Sequence, residues 1–85
     1  MIVYTPFWET LKKRGMTSYS LMKNYKISSS IVDKLRNDIP MSTYTLDNFC
    51  RILNCTLDEI AKYVPDEEYE DYKKEFGYKS KSKIK

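Results

Sequence analysis

The stretch 17–37, TSYSLMKNYKISSSIVDKLRN, constrains the chain more than any other. It holds two helix starts, a tight turn between them and two apolar faces. Thr17 or Ser18 can cap the first helix, because a short side-chain oxygen accepts the unpaired N–H groups of a helix start. Leu21 and Met22 supply its apolar contacts. Lys26-Ile27-Ser28 is the turn, and Ser28 is the second cap. Behind the second helix lie Ile31, Val32 and Leu35, of which Val32 and Leu35 share a face at i and i+3. Its front is Ser29, Ser30, Asp33, Lys34 and Asn37, all short or polar. A short helix held by an apolar back, with a polar front and a serine-rich start, suits insertion into a DNA major groove.

The flanking segments read as further short elements. MIVYT opens the chain with β-prone Ile2, Val3 and Tyr4. It is expected to be extended, as a packed strap on the domain or as an arm pairing with a second copy. Pro6 suits the first turn of a helix, where its missing N–H costs nothing. That helix is predicted over about 7–14, anchored by Phe7, Trp8 and Leu11, with Gly15 as its C′ stop. Lys12-Lys13-Arg14 has two readings, complementing the helix dipole or contacting phosphate. After Asp38-Ile39-Pro40-Met41, where Pro40 disfavours helix at Ile39, Ser42 caps a helix over about 43–53. Leu46, Phe49, Cys50 and Leu53 form its apolar face, and Asn54 is a C-cap. Thr56-Leu57-Asp58-Glu59 matches a capping box. The spacing predicts a closing helix over 57–63 with Leu57, Ile60 and Ala61 inward, ended by Pro65. DEEYEDYKKEF, 66–76, places carboxylates first and lysines late, the order a helix dipole favours. Tyr69, Tyr72 and Phe76 recur along it. The tail 77–85, GYKSKSKIK, has no apolar face and is expected to be disordered.

LKKRGMTSYSLMKNYKISSSIVDKLRND and TLDNFCRILNCTLDEIAKYVPDEE together resemble, in the order and spacing of their capped helices, the Cro/repressor-type (XRE-type) helix-turn-helix family. Its small bacterial and phage regulators are little more than this one domain. The likeness covers about 11–68. It implies an all-α, compact five-helix fold, to which the sequence adds a short N-terminal strand and an extra C-terminal helix. The organisation expected is a domain over 1–65 with its motif at 17–37, an acidic helical extension over 66–76, and a basic tail over 77–85. By the same resemblance, base edges are met by Ser29, Ser30, Asp33 and Lys34. Phosphates are met around Thr17, Ser18 and Ser28, with Lys26, Arg36 and Asn37 beside them. Arg36 has a second reading, toward an intramolecular carboxylate. Two positions depart from the family pattern: Lys26 and Asp38 stand where glycine is usual. A left-handed Lys26 would cost on the order of 1 kcal/mol.

Composition bounds the remaining classes. Eighty-five residues allow one small domain with a modest core, for which oligomerisation is a natural support. Net charge is +3, unevenly spread: residues 1–64 hold nine Lys/Arg against six Asp/Glu, 65–76 two against six, and 77–85 four against none. The domain is therefore basic, the extension acidic and the tail basic. There is no histidine and no glycine-rich phosphate loop, so the usual general base and nucleotide cradle are missing, and no enzyme is expected. Cys50 and Cys55 have no usual metal-ligand spacing and read as small buried hydrophobes in a reducing cytoplasm, with no metal or cofactor. No apolar run approaches ~18 residues and no signal peptide opens the chain, so a cytoplasmic protein without a membrane association is expected.

The functional expectation is a sequence-specific transcriptional regulator, a dimeric Cro-like repressor of double-stranded DNA. The competing reading is a protein-interaction module on the same fold, antitoxin-like or a phage-encoded inhibitor, with its partner on 66–76. Three surfaces are candidates for a homodimer: the strand around Ile2 and Tyr4, the closing segment at Tyr63 and Val64, and the stripe Tyr69, Tyr72 and Phe76.

Overall fold

The computed structural model describes residues 1–76, and the expected disordered tail lies outside the described residues. Strand β1 (Ile2–Val3) leads into helix α1 (Thr5–Lys13), followed by α2 (Ser18–Tyr25), α3 (Ser29–Arg36) and α4 (Thr43–Leu53). A single 3-10 turn (Leu57–Glu59), strand β2 (Lys62–Tyr63) and helix α5 (Asp66–Phe76) complete the order. The fold is all-α apart from one small antiparallel ribbon, in which Ile2 faces Tyr63 and Val3 faces Lys62. Beyond the ribbon the Val64 N–H donates to the Met1 carbonyl at 2.8 Å. The opening segment thus pairs within its own chain.

Polar caps mark where the helices begin. Thr17, Ser28 and Ser42 are the N-caps of α2, α3 and α4, each with a side-chain oxygen accepting the N–H three residues on. Helix α1 starts two residues earlier than Phe7, with Pro6 in its first turn. Gly15 follows it at φ +68°, a conformation open to glycine without steric cost. Asn54 closes α4 in the left-handed region.

One core joins the elements. Tyr4, Phe7, Leu11, Leu21, Ile27, Val32, Leu35, Phe49, Leu53 and Ile60 form its buried cluster. The Phe7 ring meets Trp8 and Phe49 edge-on, each at 5.0 Å between centroids. These T-shaped contacts match the ring quadrupoles.

The predicted closing helix is corrected. Residues 57–63 form one 3-10 turn and a strand, and Leu57 is 56% exposed rather than inward. The Thr56 N–H does donate to the Glu59 carboxylate, at 3.0 Å, so the local start signal operates. The helix stops because two longer contacts take over. The Thr10 hydroxyl donates to the Glu59 carbonyl at 2.8 Å, and residues 62–63 pair with β1. Ile60 is fully buried, and an extended chain beyond it satisfies the β1 backbone groups that a helix would leave unpaired.

Helix α5 has the predicted bounds and folds back on the domain. The Tyr69 hydroxyl donates to an Asp38 carboxylate oxygen at 3.1 Å, and the Tyr69 and Tyr72 rings stack at 6.4 Å. Among the described residues no helix is long and apolar enough to cross a membrane.

Candidate nucleic-acid interface

The α2–α3 unit is built from local chemistry. Thr17 and Ser20 form a reciprocal box: the Ser20 N–H donates to the Thr17 hydroxyl oxygen (3.1 Å) and the Thr17 N–H to the Ser20 hydroxyl oxygen (2.9 Å). The turn is made by Lys26 at φ 61°, ψ 30°, its N–H directed to the Leu21 carbonyl. A lysine therefore occupies the left-handed position itself. Ile27 inserts into the core directly after it. The Ser28 hydroxyl oxygen then accepts the Ile31 N–H at 3.2 Å.

Packing fixes which way α3 faces. Val32 and Leu35 are buried and Ile31 packs partly against the core. Ser29, Ser30, Asp33 and Lys34 are consequently brought together on an exposed front. Thr17, Ser28 and Lys26 are exposed beside it, and Ser18 is half-buried. None of α2, α3 and α4 has an acidic residue in its first turn, whereas α5 opens with Asp66, Glu67 and Glu68. The positive ends of the motif helices are thus left without a carboxylate, which favours an external anion.

The Arg36 guanidinium turns inward. It lies 5.6 Å over the Trp8 ring, 3.4 Å from the Ser18 hydroxyl and 3.9 Å from Asp33. These contacts tie the end of α3 to α1 and to the start of α2. Of the two readings for Arg36, its contacts here are intramolecular. Asn37 also bonds inside the chain, its amide donating to the Asp33 carbonyl at 2.8 Å and closing α3.

Two short helices, each begun by a hydroxyl cap and joined by a left-handed residue, with a polar front on the second, form a helix-turn-helix. A family model for the Cro/C1-type HTH DNA-binding domain matches residues 7–66. The chain belongs to that family. No curated protein and no solved structure matches it significantly. A Cro/C1-type DNA-binding domain has DNA as its partner class, and α3 presents a solvated polar face from an apolar mount.

Three supports of this Cro/C1-type domain were not visible in the sequence. Asp38, directly after α3, is buried at φ +55° and accepts the Tyr4 N–H (3.1 Å) as well as the Tyr69 hydroxyl. Burial, then the Asp38 charge, push the Tyr69 phenol up to about 12 and raise Tyr4 as well. The one sequence signal for this latch is an aspartate at a position where the family resemblance implied glycine. Arg14 donates to the Leu53 carbonyl (2.7 Å) and the Asn54 carbonyl (3.1 Å). It therefore caps α4, leaving Lys12 and Lys13 in the last turn of α1. The third support is the Arg36–Trp8 stack. Cys50 and Cys55 are free thiols, half-buried against the core rather than fully enclosed, and burial raises Cys55. Among the described residues no group of three potential ligands could hold a metal ion.

Proposed function

We propose that the protein is a sequence-specific transcriptional regulator, a Cro-like repressor that binds as a dimer and inserts α3 into the major groove. The observation that carries this reading is the α3 front, solvated and polar on a helix whose back is locked into the core. Lys34 donates to guanine O6 and N7, Asp33 accepts from cytosine N4, and Ser29 and Ser30 donate or accept. The N-termini at Thr17, Ser18 and Ser28 hold phosphates, and Lys26 adds charge beside them. We assign Arg36 and Asn37 to positioning α3, since their side chains are already engaged within the chain. Residues 1–65 carry the recognition, and 66–76 brace it. With no bidentate Arg, Asn or Gln on the front, each half-site discriminates modestly, and pairing two half-sites one turn apart supplies the affinity. Repression then follows from occupancy of the promoter.

The competing reading, a protein-interaction module acting through 66–76, is weakened because Tyr69 and Tyr72 are half-buried against the domain. Fluorescence anisotropy with a random-sequence duplex at two salt concentrations tests the DNA reading. Binding is expected to weaken steeply with salt, as counterion release requires. Lys34→Glu should bind more weakly while keeping its helical circular dichroism. Equal binding by that variant would exclude the proposed front.

A further inference from the structure

Cys50 and Cys55 are the two thiols of the chain, and neither belongs to the α2–α3 front. Helix α4 ends in a turn that folds the chain back on itself. Asn54 is left-handed at φ 52°, ψ 58°, and its N–H turns to the Cys50 carbonyl. The Cys55 N–H donates to the same carbonyl at 3.0 Å. A hydrogen bond of this span sets the residue just past a helix against one in its last turn, where an apolar contact is usual. Here both positions are cysteine.

The bond also limits how far apart the two residues can be. With about 2.4 Å from a Cα to its carbonyl oxygen and about 1.5 Å from a nitrogen to its Cα, the 3.0 Å bond holds the two Cα atoms within about 6.9 Å. That ceiling is met only by a fully linear arrangement, and disulfides span about 4.4–6.8 Å. Both side chains lie half-buried against one core, and the two thiols are hydrogen-bonding neighbours.

We propose that Cys50 and Cys55 are a modification site, a thiol pair that closes to an intramolecular disulfide when the chain meets a low-molecular-weight disulfide such as oxidised glutathione. Cys50 lines an open depression with Tyr44 and Leu57, so the oxidant reaches it first. Its thiolate attacks one glutathione sulfur, the oxidant's S–S bond breaks, and one glutathione thiol leaves. The Cys55 thiolate then attacks the Cys50 sulfur and expels the second glutathione. The pair loses two protons and two electrons, and one disulfide is reduced to two thiols. Burial, Cys50 and Glu59 hold the Cys55 thiol up, against the Arg14 guanidinium. The second attack therefore quickens in mild alkali, where more thiolate is present.

The crosslink fastens the end of α4 to the segment entering the 3-10 turn. Arg14 already holds the Leu53 and Asn54 carbonyls from α1, so the turn is braced in the shape that the crosslink needs. The closed loop spans only residues 50–55, which puts the gain at the small end, a rise of a few degrees in Tm.

The full chain incubated with oxidised glutathione at mildly alkaline pH, then read by intact mass, tests the proposal. The parent should lose the mass of two hydrogens, retain no glutathione, and gain a Tm rise that dithiothreitol reverses. Cys55→Ala should instead keep one glutathione on Cys50, because nothing is left to expel it. Cys50→Ala should form no internal disulfide. A parent that keeps both thiols, carries a lasting glutathione adduct, or crosslinks between chains on a non-reducing gel would overturn the proposal. A disulfide that forms but lowers Tm would overturn the unstrained closure argued from the turn. The parent's mass decides the first point even where a variant fails to fold. None of these outcomes bears on the DNA reading, since α3 carries neither thiol.

Discussion

Lys26 is held at φ 61° where a side chain with a Cβ is strained by about 1–2 kcal/mol. The strain is tolerated because the turn must deliver Ile27 into the core and Ser28 to the start of α3. Glycine would relieve it, at an unfolded-state entropy cost of about 0.5–1 kcal/mol. Lys26→Gly should therefore stabilise the fold by about 0.5–1 kcal/mol, a rise of a few degrees in Tm by thermal circular dichroism. The same change removes a cation beside the phosphate-facing helix ends. Its DNA binding should be weaker, with a salt slope shallower by about one. Stability and affinity moving in opposite directions would show that this lysine is retained for binding. Asp38 is the contrasting case at φ +55°: its carboxylate accepts one buried and one half-buried hydrogen bond that a glycine could not.

The Tyr69 phenol is one of the groups that dock helix α5, and it makes that docking sensitive to alkali. The Tyr69 pKa rises from 10.0 to about 12 in the folded chain, chiefly by burial and then by Asp38. The folded state thus keeps a proton that the unfolded chain loses first. Its contribution is complete below pH 10.0 and disappears as pH rises through about 12. Tyr4 shifts in the same direction and adds to the trend. Urea midpoints measured over this range should fall with pH in the parent and fall less in Tyr69→Phe. An equal decline in both would show that Tyr69 is not the group responsible. The elements themselves were largely legible. Helices α2, α3, α4 and α5 lie within a residue or two of the bounds read from caps and apolar spacing. The segment 57–63 was not legible, because its capping signal is local and its strand partner lies about sixty residues away.

The whole molecule has one small core, and Phe49 lies at its centre, fully buried and edge-on to Phe7. Phe49→Ala should cost about 3–5 kcal/mol. A domain of this size has about 4–13 kcal/mol in total. The variant should therefore be partly or wholly unfolded at moderate temperature, seen as a lowered or missing thermal transition. DNA binding should fail with it, since the packing that mounts α3 depends on that core. Hydroxyl caps and apolar spacing were enough to place α2, α3, α4 and α5, to name the residues α3 can present, and to show that the turn would have to accept a lysine. Each depends on hydroxyl caps, apolar periodicity and φ preferences within a few residues. The tertiary structure alone decided that Arg36 stacks on Trp8, that Arg14 caps α4, that Asp38 ties β1 and α5 to the end of α3, and that Leu57 stands in the open. These rest on groups about 28 to 40 residues apart and on how the closed core shares out its surface, which no local pattern encodes.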